Sequence, residues 1–413
     1  MEKEFEYKEE YGWLTNICLN VTDACNLACR YCFVEQHPHY MTLDIAKQAV
    51  HFVLDNLEKK NKKFNKNKKA IITFFGGEPT LMWDEIIVPL INYVKENSFP
   101  IDFSMTTNGT LLTEERIEFL KANEVGLLLS IDGDRYTQNF NRPCINNKLS
   151  SFDLIDKNIP ALLKSYPNIT FRATIYSETA DKTFENYIYA VKKGFANIYM
   201  IPDGRHKWTN QQMKNLIIEI EKIYDFLEFC FINNLPVMNF KPMVESYERI
   251  LRHDTQIING IMPYENINRS VRRCGLGTTM GSIGYDGSIY GCQEQTSKEE
   301  NNIFYIGNIA SGINKEKHKK LLSTYQDKNT IFCNDKEMCV SCPLRTICTS
   351  FVCPSSSFDT YKNLFTNSEI QCIWLQTLFF KSAELMKKMV QTNNKNFKKF
   401  LNNIEIYEKV FLT

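Results

Sequence analysis

Short apolar runs alternate with longer helical patterns through the first half of the chain, from Leu14 to about Tyr199. A short apolar run between turn residues is typical of a buried strand, and apolar positions three and four residues apart are typical of a helix. The predicted strands are Leu14–Val21, Ala70–Phe75, Asp102–Thr106, Gly126–Ile131, Ile169–Tyr176 and Asn197–Ile201. The predicted helices between them are Leu43–Lys59, Asp84–Asn97, Thr113–Asn123, Ser151–Ser165 and Lys182–Lys193. Six βα steps predict an α/β fold with a parallel sheet, in the form of a partial (β/α)6 TIM-like barrel.

The pattern changes after the sixth strand. Residues Asn210 to Phe231 look helical, and Asn233 to Asn268 show no strong periodicity. After Cys274 the chain becomes rich in glycine, and Asp286-Gly287 predicts a two-residue hairpin turn, with helices from Gln371 onward. We therefore predict a βα domain over residues 11–230, a connecting region over 231–268, and a small cysteine-rich domain with a β-hairpin and C-terminal helices over 269–413.

Composition and charge exclude several classes of partner. The chain has 413 residues with 43% hydrophobic content, enough for a large core, and a net charge of +1 from 49 basic and 48 acidic residues. So balanced a charge predicts no nucleic acid and no anionic membrane as partner, and the basic run Lys59–Lys69 is interpreted as a solvated loop. The charged N-terminus lacks the apolar stretch of a signal peptide and no run is long enough to span a bilayer, so we expect a cytoplasmic protein.

The spacing of the cysteines predicts metal binding. There are 14 cysteines, and in a large chain without an export signal clustered thiols indicate metal rather than disulfides. Cys25, Cys29 and Cys32 follow the first predicted strand as Cys-x3-Cys-x2-Cys. A 4Fe-4S cluster normally has four cysteine ligands, so three thiolates leave one iron open to bind another molecule. The alternatives are a zinc site, with His37 or His39 as the fourth ligand, and buried reduced cysteines without a metal.

This cysteine loop, followed by the aromatic Phe33, resembles the defining motif of the radical S-adenosylmethionine superfamily. The resemblance extends to Gly-Gly-Glu-Pro after the second strand and to the polar ends of the third and fourth. It implies a 4Fe-4S cluster whose open iron chelates S-adenosylmethionine, and reductive cleavage of that cofactor to a 5'-deoxyadenosyl radical. The residues implied to bind the cofactor are Tyr31, Gly76, Gly77, Glu78, Asn108, Ser130, Asp132 and Arg172, with Arg142 a further candidate for its carboxylate.

A second cysteine set resembles the SPASM domain of peptide- and protein-modifying radical enzymes. Its marks are the hairpin Gly287-x4-Cys292, the following Ile306-Gly-Asn-Ile309, and a dense run of cysteines. The resemblance implies two auxiliary 4Fe-4S clusters. One would use Cys274, Cys292 and Cys353, with Cys333 as a candidate fourth ligand, and the other Cys339, Cys342, Cys348 and Cys372.

The dense run departs from the family in one place, because four residues separate Cys348 from Cys353 where three are usual. A zinc ribbon is the alternative interpretation of this set. The other three cysteines, Cys18, Cys144 and Cys230, are interpreted as buried thiols. No role is assigned to the histidines, which have no partner pattern in the sequence, and the catalytic residues stay unknown. The histidines considered are His37, His39, His206 and His253.

The resemblance implies a maturase that installs a crosslink, foremost a Cys thioether, in a ribosomally made precursor peptide. Expected partners are that peptide, a reducing protein such as flavodoxin or ferredoxin, and a separate leader-binding protein, since the cysteine loop already starts at Cys25. A sulfatase-maturating enzyme is one alternative, although Gln293 and Glu294 stand where those enzymes have an Asp base. Carbon-carbon crosslinking, decarboxylation of a peptide and a zinc-stabilised binding protein are the others.

Overall fold

The computed structural model describes residues 6–257, 275–298, 302–326, 342, 344, 353–364 and 366–403. These residues form two compact units that interleave along the chain. Unit 1 takes the described residues within Met1–Ser130, Arg142–Tyr166 and Ser270–Ile331. Unit 2 takes those within Ile131–Asn141, Pro167–Arg269 and Phe332–Thr413. The chain therefore passes from one unit to the other several times.

The elements of the described residues are as follows. The strands are β1 Asn16–Thr22, β2 Ala70–Gly76, β3 Ile101–Thr107, β4 Gly126–Ser130, β5 Thr170–Ile175, β6 Asn197–Pro202, β7 Asn239–Phe240, β8 Met280–Ile283, β9 Ser288–Tyr290, β10 Tyr305–Asn308 and β11 Gly312–Ile313. The helices are α1 Leu43–Phe64, α2 Val88–Glu96, α3 Glu114–Ala122, α4 Arg135–Asn141, α5 Ser151–Asp156, α6 Ile159–Ser165, α7 Thr183–Lys193, α8 Asn210–Ile232, α9 Lys241–Ile257, α10 Lys315–Gln326, α11 Pro354–Tyr361, α12 Glu369–Gln391 and α13 Lys395–Asn403.

Parallel strands β1 to β4 form the centre of unit 1. Alternate residues of β2 and β3 are buried, among them Phe74 and Met105, and β1 is buried continuously from Leu19 to Thr22. Threonine side chains cap the helices that follow, with Thr42 accepting from the backbone at the start of α1 and Thr113 at the start of α3. The parallel order brings the carboxyl ends of these strands to one edge, where the loop after each strand is available for a site.

The sheet of unit 1 continues with a segment from far along the chain. Strand β8 lies parallel to β1 on the side opposite β2, and β9, β10 and β11 extend the sheet by antiparallel pairing. The predicted hairpin is present, but its loop has three residues, Tyr285 to Gly287, rather than two. The backbone N–H of Gly284 donates to the carbonyl of Ser288 and closes the loop. Gly287, the last loop residue, has φ +83°, the left-handed conformation that three-residue hairpin loops require at this position.

Unit 2 contains parallel strands β5, β6 and β7, with α7, α8, α9 and α12. Helix α9 lies where the sequence predicted no regular structure. Its residues Met243, Val244 and Tyr247 are buried, and α9 packs against α12 and β6. Tertiary burial thus stabilises a helix whose short apolar pattern, following Pro242, is weak by itself.

The predicted α/β fold with a parallel sheet and C-terminal helices is confirmed, with further differences among the helices of unit 1, where α2 begins at Val88 rather than at Asp84. The helix predicted over Ser151–Ser165 is two helices, with Pro160 in the first turn of the second. Helix α1 continues to Phe64 into the lysine-rich run and ends at Asn65, which has φ +47°. The domain boundaries at 230 and 268 stay a prediction. Among the described residues, no helix has the length and apolar character to cross a membrane.

Candidate functional site

The loop that begins at Cys25 follows β1 directly and is held at both ends. Behind it, the hydroxyl of Thr22, the last residue of β1, accepts a 3.0 Å hydrogen bond from the backbone of Ala24. Farther along, the backbone N–H of Ala28 donates to the carbonyl of Pro143 at 2.8 Å. The strand end and a neighbouring segment of unit 1 therefore fix the path of the cysteine loop.

The three thiols of this loop differ in exposure. Cys25 and Cys29 are half-buried, and Cys32 is exposed. The Cys25 sulfur accepts from the backbone of Leu27 at 3.4 Å and from the side-chain amide of Asn108 at 3.8 Å. Hydrogen bonds to cysteine sulfur are a feature of iron–sulfur sites, where they tune the electron density on the ligand.

Electrostatics at Cys25 do not stabilise a bare thiolate. Burial, and next the Glu78 carboxylate, raise the pKa of the Cys25 thiol to about 12. A cationic partner would reverse this effect, since a metal ion deprotonates a coordinating thiol outright. In the described ranges, no three metal-ligating side chains already converge on one point. The donor set nonetheless fits an iron–sulfur cluster, because three thiols share one short anchored loop and one of them accepts two N–H groups.

Gly76 and Gly77 leave room for the backbone of the cysteine loop. A Cβ atom on Gly76 would lie 2.2 Å from the carbonyl oxygen of Thr22, and one on Gly77 would lie 2.2 Å from that of Ala24. The backbone N–H of Gly77 donates to the carbonyl of Thr22 at 2.8 Å, and that of Glu78 donates to the carbonyl of Ala24 at 2.9 Å. The two glycines thus bring the end of β2 against the residue that precedes Cys25.

Glu78 is fully buried and saturated with protein donors. One carboxylate oxygen accepts from the backbone and the hydroxyl of Thr80 at 3.1 and 2.5 Å and from the hydroxyl of Thr107 at 2.7 Å. The other accepts from the backbone of Asn108 at 2.8 Å. Burial raises the pKa of this carboxyl, while the four hydrogen bonds oppose the rise. Glu78 therefore connects the turn after β2 to the end of β3.

Asn108 lies between Glu78 and the cysteine loop. Its side-chain amide donates to Asn26 at 2.9 Å as well as to the Cys25 sulfur, and its side-chain oxygen accepts from the hydroxyl of Thr110 at 2.6 Å. The Asn26 amide in turn donates to Thr110 at 2.7 Å. This closed network fixes the first cysteine of the loop relative to the end of β3. The structure therefore brings together Cys25, Gly77, Glu78 and Asn108 from three strand ends.

Two further predicted residues of unit 1, Tyr31 and Arg142, contact each other. The guanidinium of Arg142 lies 5.2 Å from the centre of the Tyr31 ring, and both side chains are buried. Such stacking of a cation on a ring fixes a planar guanidinium in one orientation. Ser130 ends β4 and is half-buried. Phe33, the aromatic after the motif, stacks on Phe75 at 6.3 Å.

The predicted cofactor residues Asp132 and Arg172 belong to unit 2. Asp132 is buried, and its carboxylate accepts from the backbone of Thr174 at 3.0 Å and from the amide of Asn141 at 3.1 Å. Arg172 donates to the carbonyl of Ala173 at 2.8 Å and lies over the ring of Tyr199 at 4.8 Å. In unit 2 these two residues therefore lie along β5, with Asp132 beside its carboxyl end.

Three described thiols of the second cysteine set lie in unit 2, and each accepts a hydrogen bond from nitrogen. Cys353 accepts from the backbone of Ser356 at 3.5 Å and caps α11. Cys372, on α12, accepts from Asn367 at 3.6 Å. Cys342 accepts from Gln376 at 3.8 Å, and Gln376 is one helical turn after Cys372. Cys342 therefore contacts a side chain of α12 that lies one helical turn after Cys372.

The remaining cysteines of this set fall in other places. Cys292 follows β9 in unit 1 and is half-buried, and its carbonyl accepts from the hydroxyl of Ser282 at 3.2 Å. Four predicted ligands lie outside the described residues: Cys274, Cys333, Cys339 and Cys348. Of the three cysteines interpreted as buried thiols, Cys144 and Cys230 are buried, whereas Cys18 on β1 is only half-buried; burial raises the pKa of all three thiols.

Two histidines without a sequence pattern have carboxylate partners in the structure. In unit 1, Nδ1 of His39 lies 3.2 Å from the Asp23 carboxylate, and its ring stacks on Tyr285 at 4.3 Å. In unit 2, Nδ1 of His206 lies 2.5 Å from the carboxylate of Asp203 just after β6. The sequence signal for the second pair is Asp-x2-His directly after a predicted strand.

Residues 19–217 match the Radical SAM superfamily. The chain is 25% identical over 396 residues to the radical SAM cyclopropyl synthase TigE of Paramaledivibacter caminithermalis, which covers 90% of this chain and 75% of the relative. It is 24% identical over 377 residues to a cysteine-type anaerobic sulfatase-maturating enzyme of Clostridium novyi, covering 89% of this chain and 95% of the relative. Native anSMEcpe, solved with bound AdoMet and the Cp18Cys peptide, has the same fold, with a TM-score of 0.66, 20% identity, and coverage of 91% and 99% of the two chains. The predicted relation to SPASM-type radical enzymes is confirmed.

Proposed function

Because the chain carries a radical S-adenosylmethionine domain over residues 19–217, we propose that it is a peptide maturase that installs a Cys thioether crosslink in a ribosomally made precursor peptide. The family implies a 4Fe-4S cluster and S-adenosylmethionine. When bound, these supply a radical that removes a hydrogen atom from the substrate. The protein's own part is then to orient the cofactor and the peptide and to exclude water from the site.

We assign the cluster to Cys25, Cys29 and Cys32. The support is the anchored loop after β1 and the two N–H groups that point at the Cys25 sulfur. The network of Glu78 and Asn108 keeps that loop at a fixed position beside the ends of β2 and β3. The residues assigned to the cofactor are Tyr31, Gly76, Gly77, Glu78, Asn108, Ser130, Asp132 and Arg172. Their support is their place at or near successive strand ends.

The second cysteine set is the main support for a peptide substrate. We assign these cysteines to two auxiliary 4Fe-4S clusters. The N–H donors on Cys342, Cys353 and Cys372 are the donor chemistry that such clusters use. The contact of Cys342 with Gln376, one turn after Cys372 on α12, supports a cluster shared by these two cysteines. For the other cluster, a ligand set of Cys274, Cys292 and Cys353 without Cys333 would leave one iron open for the substrate thiolate.

The proposed activity needs partners beyond the precursor peptide. A reducing protein such as flavodoxin or ferredoxin would supply the electron, and a separate leader-binding protein would deliver the peptide. The Cp18Cys peptide bound to anSMEcpe supports a peptide substrate, since that structure shares the fold over 91% of this chain.

Carbon-carbon bond formation is the second candidate. It is favoured by the similarity to TigE, whose name states that it makes a cyclopropyl group and which matches 90% of this chain. Sulfatase maturation is less favoured, because Gln293 takes the place of the Asp base that such enzymes carry, with Glu294 next to it.

One reaction separates these activities. The neighbouring genes are first read for a short Cys-rich precursor peptide. The anaerobically reconstituted protein is then incubated with S-adenosylmethionine, a reductant and that peptide, and the peptide is analysed by mass spectrometry after thiol alkylation. A thioether removes two hydrogens and one alkylatable thiol. A carbon-carbon bond removes two hydrogens and leaves every thiol, and formylglycine gives an aldehyde that a hydrazide reagent captures. An unchanged peptide would reject the proposal.

Variants of the cluster loop provide the matching control. Cys25→Ala, Cys29→Ala and Cys32→Ala should each abolish 5'-deoxyadenosine, because an incomplete ligand set leaves no cluster to transfer the electron. Cys230→Ala, which removes a buried thiol of α8, should still form 5'-deoxyadenosine. Cleavage of the cofactor by any of the three loop variants at the rate of the unmodified protein would contradict the assignment.

A further inference from the structure

A histidine–carboxylate pair lies at the carboxyl end of β6 in unit 2. Strand β6 ends at Pro202, Asp203 follows it, and His206 stands three residues later. The backbone of Asp203 donates to the carbonyl of Ile175, the last residue of β5, at 2.9 Å. In βα folds, sites form where parallel strands end, so the pair occupies the edge of unit 2 at which substrate chemistry is expected.

The pair has the geometry of an oriented base. Nδ1 of His206 lies 2.5 Å from one oxygen of Asp203, whose side chain is 3% exposed while that of the histidine is 41% exposed. The same carboxylate accepts from the backbone of Arg205 at 3.1 Å and of His206 at 3.2 Å. With Nδ1 bound to a carboxylate, the ring carries its hydrogen there and Nε2 is the acceptor nitrogen.

The loop that holds the pair is fixed by contacts on three sides. The indole N–H of Trp208 donates to the carbonyl of Asp203 at 2.8 Å, and the His206 ring meets the edge of Tyr176 at 5.6 Å. Arg205 pairs with Asp359 of α11 at 3.3 Å. Helix α11 begins directly after Cys353, so the pair is connected through one helix to an assigned cluster ligand.

A cavity of about 200 Å³ adjoins this loop within unit 2. Tyr199 and Pro202 of β6 line it on one side, and Trp374 and Leu378 of α12 on the other. Pro202 immediately precedes Asp203, so the cavity and the pair share one turn of chain. Such a mostly apolar wall suits an apolar side chain of a peptide rather than a charged small molecule.

We infer that His206 accepts the proton of the substrate cysteine thiol, that Asp203 positions its ring, and that the adjoining cavity takes an apolar peptide side chain near that cysteine. This inference rests on the proposed thioether-forming function. In the step, the S–H bond of the peptide breaks heterolytically, the proton goes to Nε2 of His206, and the electron pair stays on sulfur. The imidazolium formed is stabilised by the Asp203 carboxylate, and the thiolate is the form that binds iron or attacks carbon.

The test uses His206→Asn, whose amide can still donate to Asp203 while the acceptor nitrogen is absent. Loss of a general base typically costs 10²- to 10⁴-fold, so peptide crosslinking should fall by about 100-fold or more. Formation of 5'-deoxyadenosine should continue, since radical generation does not use this proton. Added imidazole should restore part of the crosslinking to His206→Asn and to His206→Gln, which a merely structural role would not permit.

The positioning residue has its own readout. Asp203→Asn should lower crosslinking by about 10-fold or more with 5'-deoxyadenosine retained, because the ring loses its fixed tautomer, and Asp203→Glu should restore part of the activity. In the full holoenzyme, diethyl pyrocarbonate should label His206, and the precursor peptide should protect it. The control is His51→Ala, an exposed histidine of α1 bonded to Tyr93 in unit 1, which should crosslink normally.

The outcomes separate the two proposals. If the unmodified protein crosslinks the peptide and His206→Asn does so equally well, the inference is rejected while the proposed function stands. Loss of 5'-deoxyadenosine in a folded His206→Asn protein also rejects it, since the residue would then serve radical generation. Absence of crosslinking by the unmodified protein rejects the proposed function, and the inference with it.

Discussion

Single residues at the cysteine loop act mainly through backbone packing and hydrogen bonds within the protein. Only glycine fits at position 77, because a Cβ atom there would lie 2.2 Å from the carbonyl oxygen of Ala24. Glu78 receives four protein hydrogen bonds, which suggests that it orders the strand ends before any contact with a cofactor. The charge of Glu78 is therefore compensated locally by hydroxyl and amide dipoles.

Gly77→Ala should displace the residue before Cys25, because the added methyl group would meet backbone that cannot rotate away. We expect reconstituted protein of this variant to hold less iron and to lose 5'-deoxyadenosine formation by about 10-fold or more, the scale on which a misplaced supporting residue weakens a metal site. Iron analysis measures the cluster content, and the rate of 5'-deoxyadenosine formation measures cofactor cleavage.

Gly126→Ala is the matched control for that substitution. A Cβ there would meet the Ser104 side chain at an ordinary 3.4 Å, at the start of β4. This variant should bind iron normally. Equal iron content in Gly77→Ala and Gly126→Ala would show that the close approach at β2 does not hold the cysteine loop.

At the scale of elements, helix α12 combines packing with the second cysteine set. It carries Cys372 and Gln376 near its start, and farther along Ser382 bonds to Tyr224 of α8 at 2.6 Å. It also packs against α9, the helix that the sequence pattern missed. Because the same helix holds a thiol and closes the core of unit 2, its position determines where that thiol stands.

Tyr224→Phe should destabilise the packing of α8 against α12. The buried hydroxyl also donates to the carbonyl of Leu378 at 3.3 Å, and removing it leaves Ser382 without this partner. The expected cost is about 1–3 kcal/mol in the free energy of unfolding, the usual penalty for an unsatisfied buried polar group. Thermal unfolding measures it, and Tyr136→Phe, at a tyrosine that is 59% exposed, should change little. Equal unfolding of the two variants would contradict the packing role.

At the scale of the whole molecule, the two cysteine sets are not separated as the sequence order implies. The hairpin before Cys292 belongs to unit 1, where β8 pairs with β1, the strand that leads to Cys25. Cys342, Cys353 and Cys372 belong to unit 2, together with Asp132 and Arg172. Each unit therefore contains residues from both predicted domains.

Loss of a C-terminal thiol should separate radical generation from product formation. Cys372→Ala is expected to retain cleavage of S-adenosylmethionine, since the Cys25 loop is intact in unit 1, and to lose nearly all crosslinked peptide. The measurements are 5'-deoxyadenosine by chromatography and peptide mass in the same reaction. Full peptide turnover by Cys372→Ala would show that the second cysteine set is dispensable.

The sequence was sufficient for elements whose signals are local. The six parallel strands were predicted to within two residues at each end because each is a short segment of consecutive or alternating apolar residues between turn residues. Local sequence patterns failed to predict the features that depend on packing in the tertiary structure. Helix α9 has only a short apolar pattern, and the hairpin loop gained a residue through the left-handed Gly287. The contact of His206 with Asp203 depends on the conformation of the turn after β6, which composition and periodicity do not predict.

By itself, the sequence was enough to predict the α/β class, to name the candidate ligands and to reveal the resemblance to the radical S-adenosylmethionine superfamily, because strand patterns and cysteine motifs are written in consecutive residues. Only the tertiary structure decided which of those residues meet. It placed β8 beside β1, joined Glu78 to Asn108, brought Cys342 to α12, and oriented His206 by a carboxylate. These pairings depend on where distant segments pack, and packing is set by the burial of the whole core rather than by any one stretch of chain.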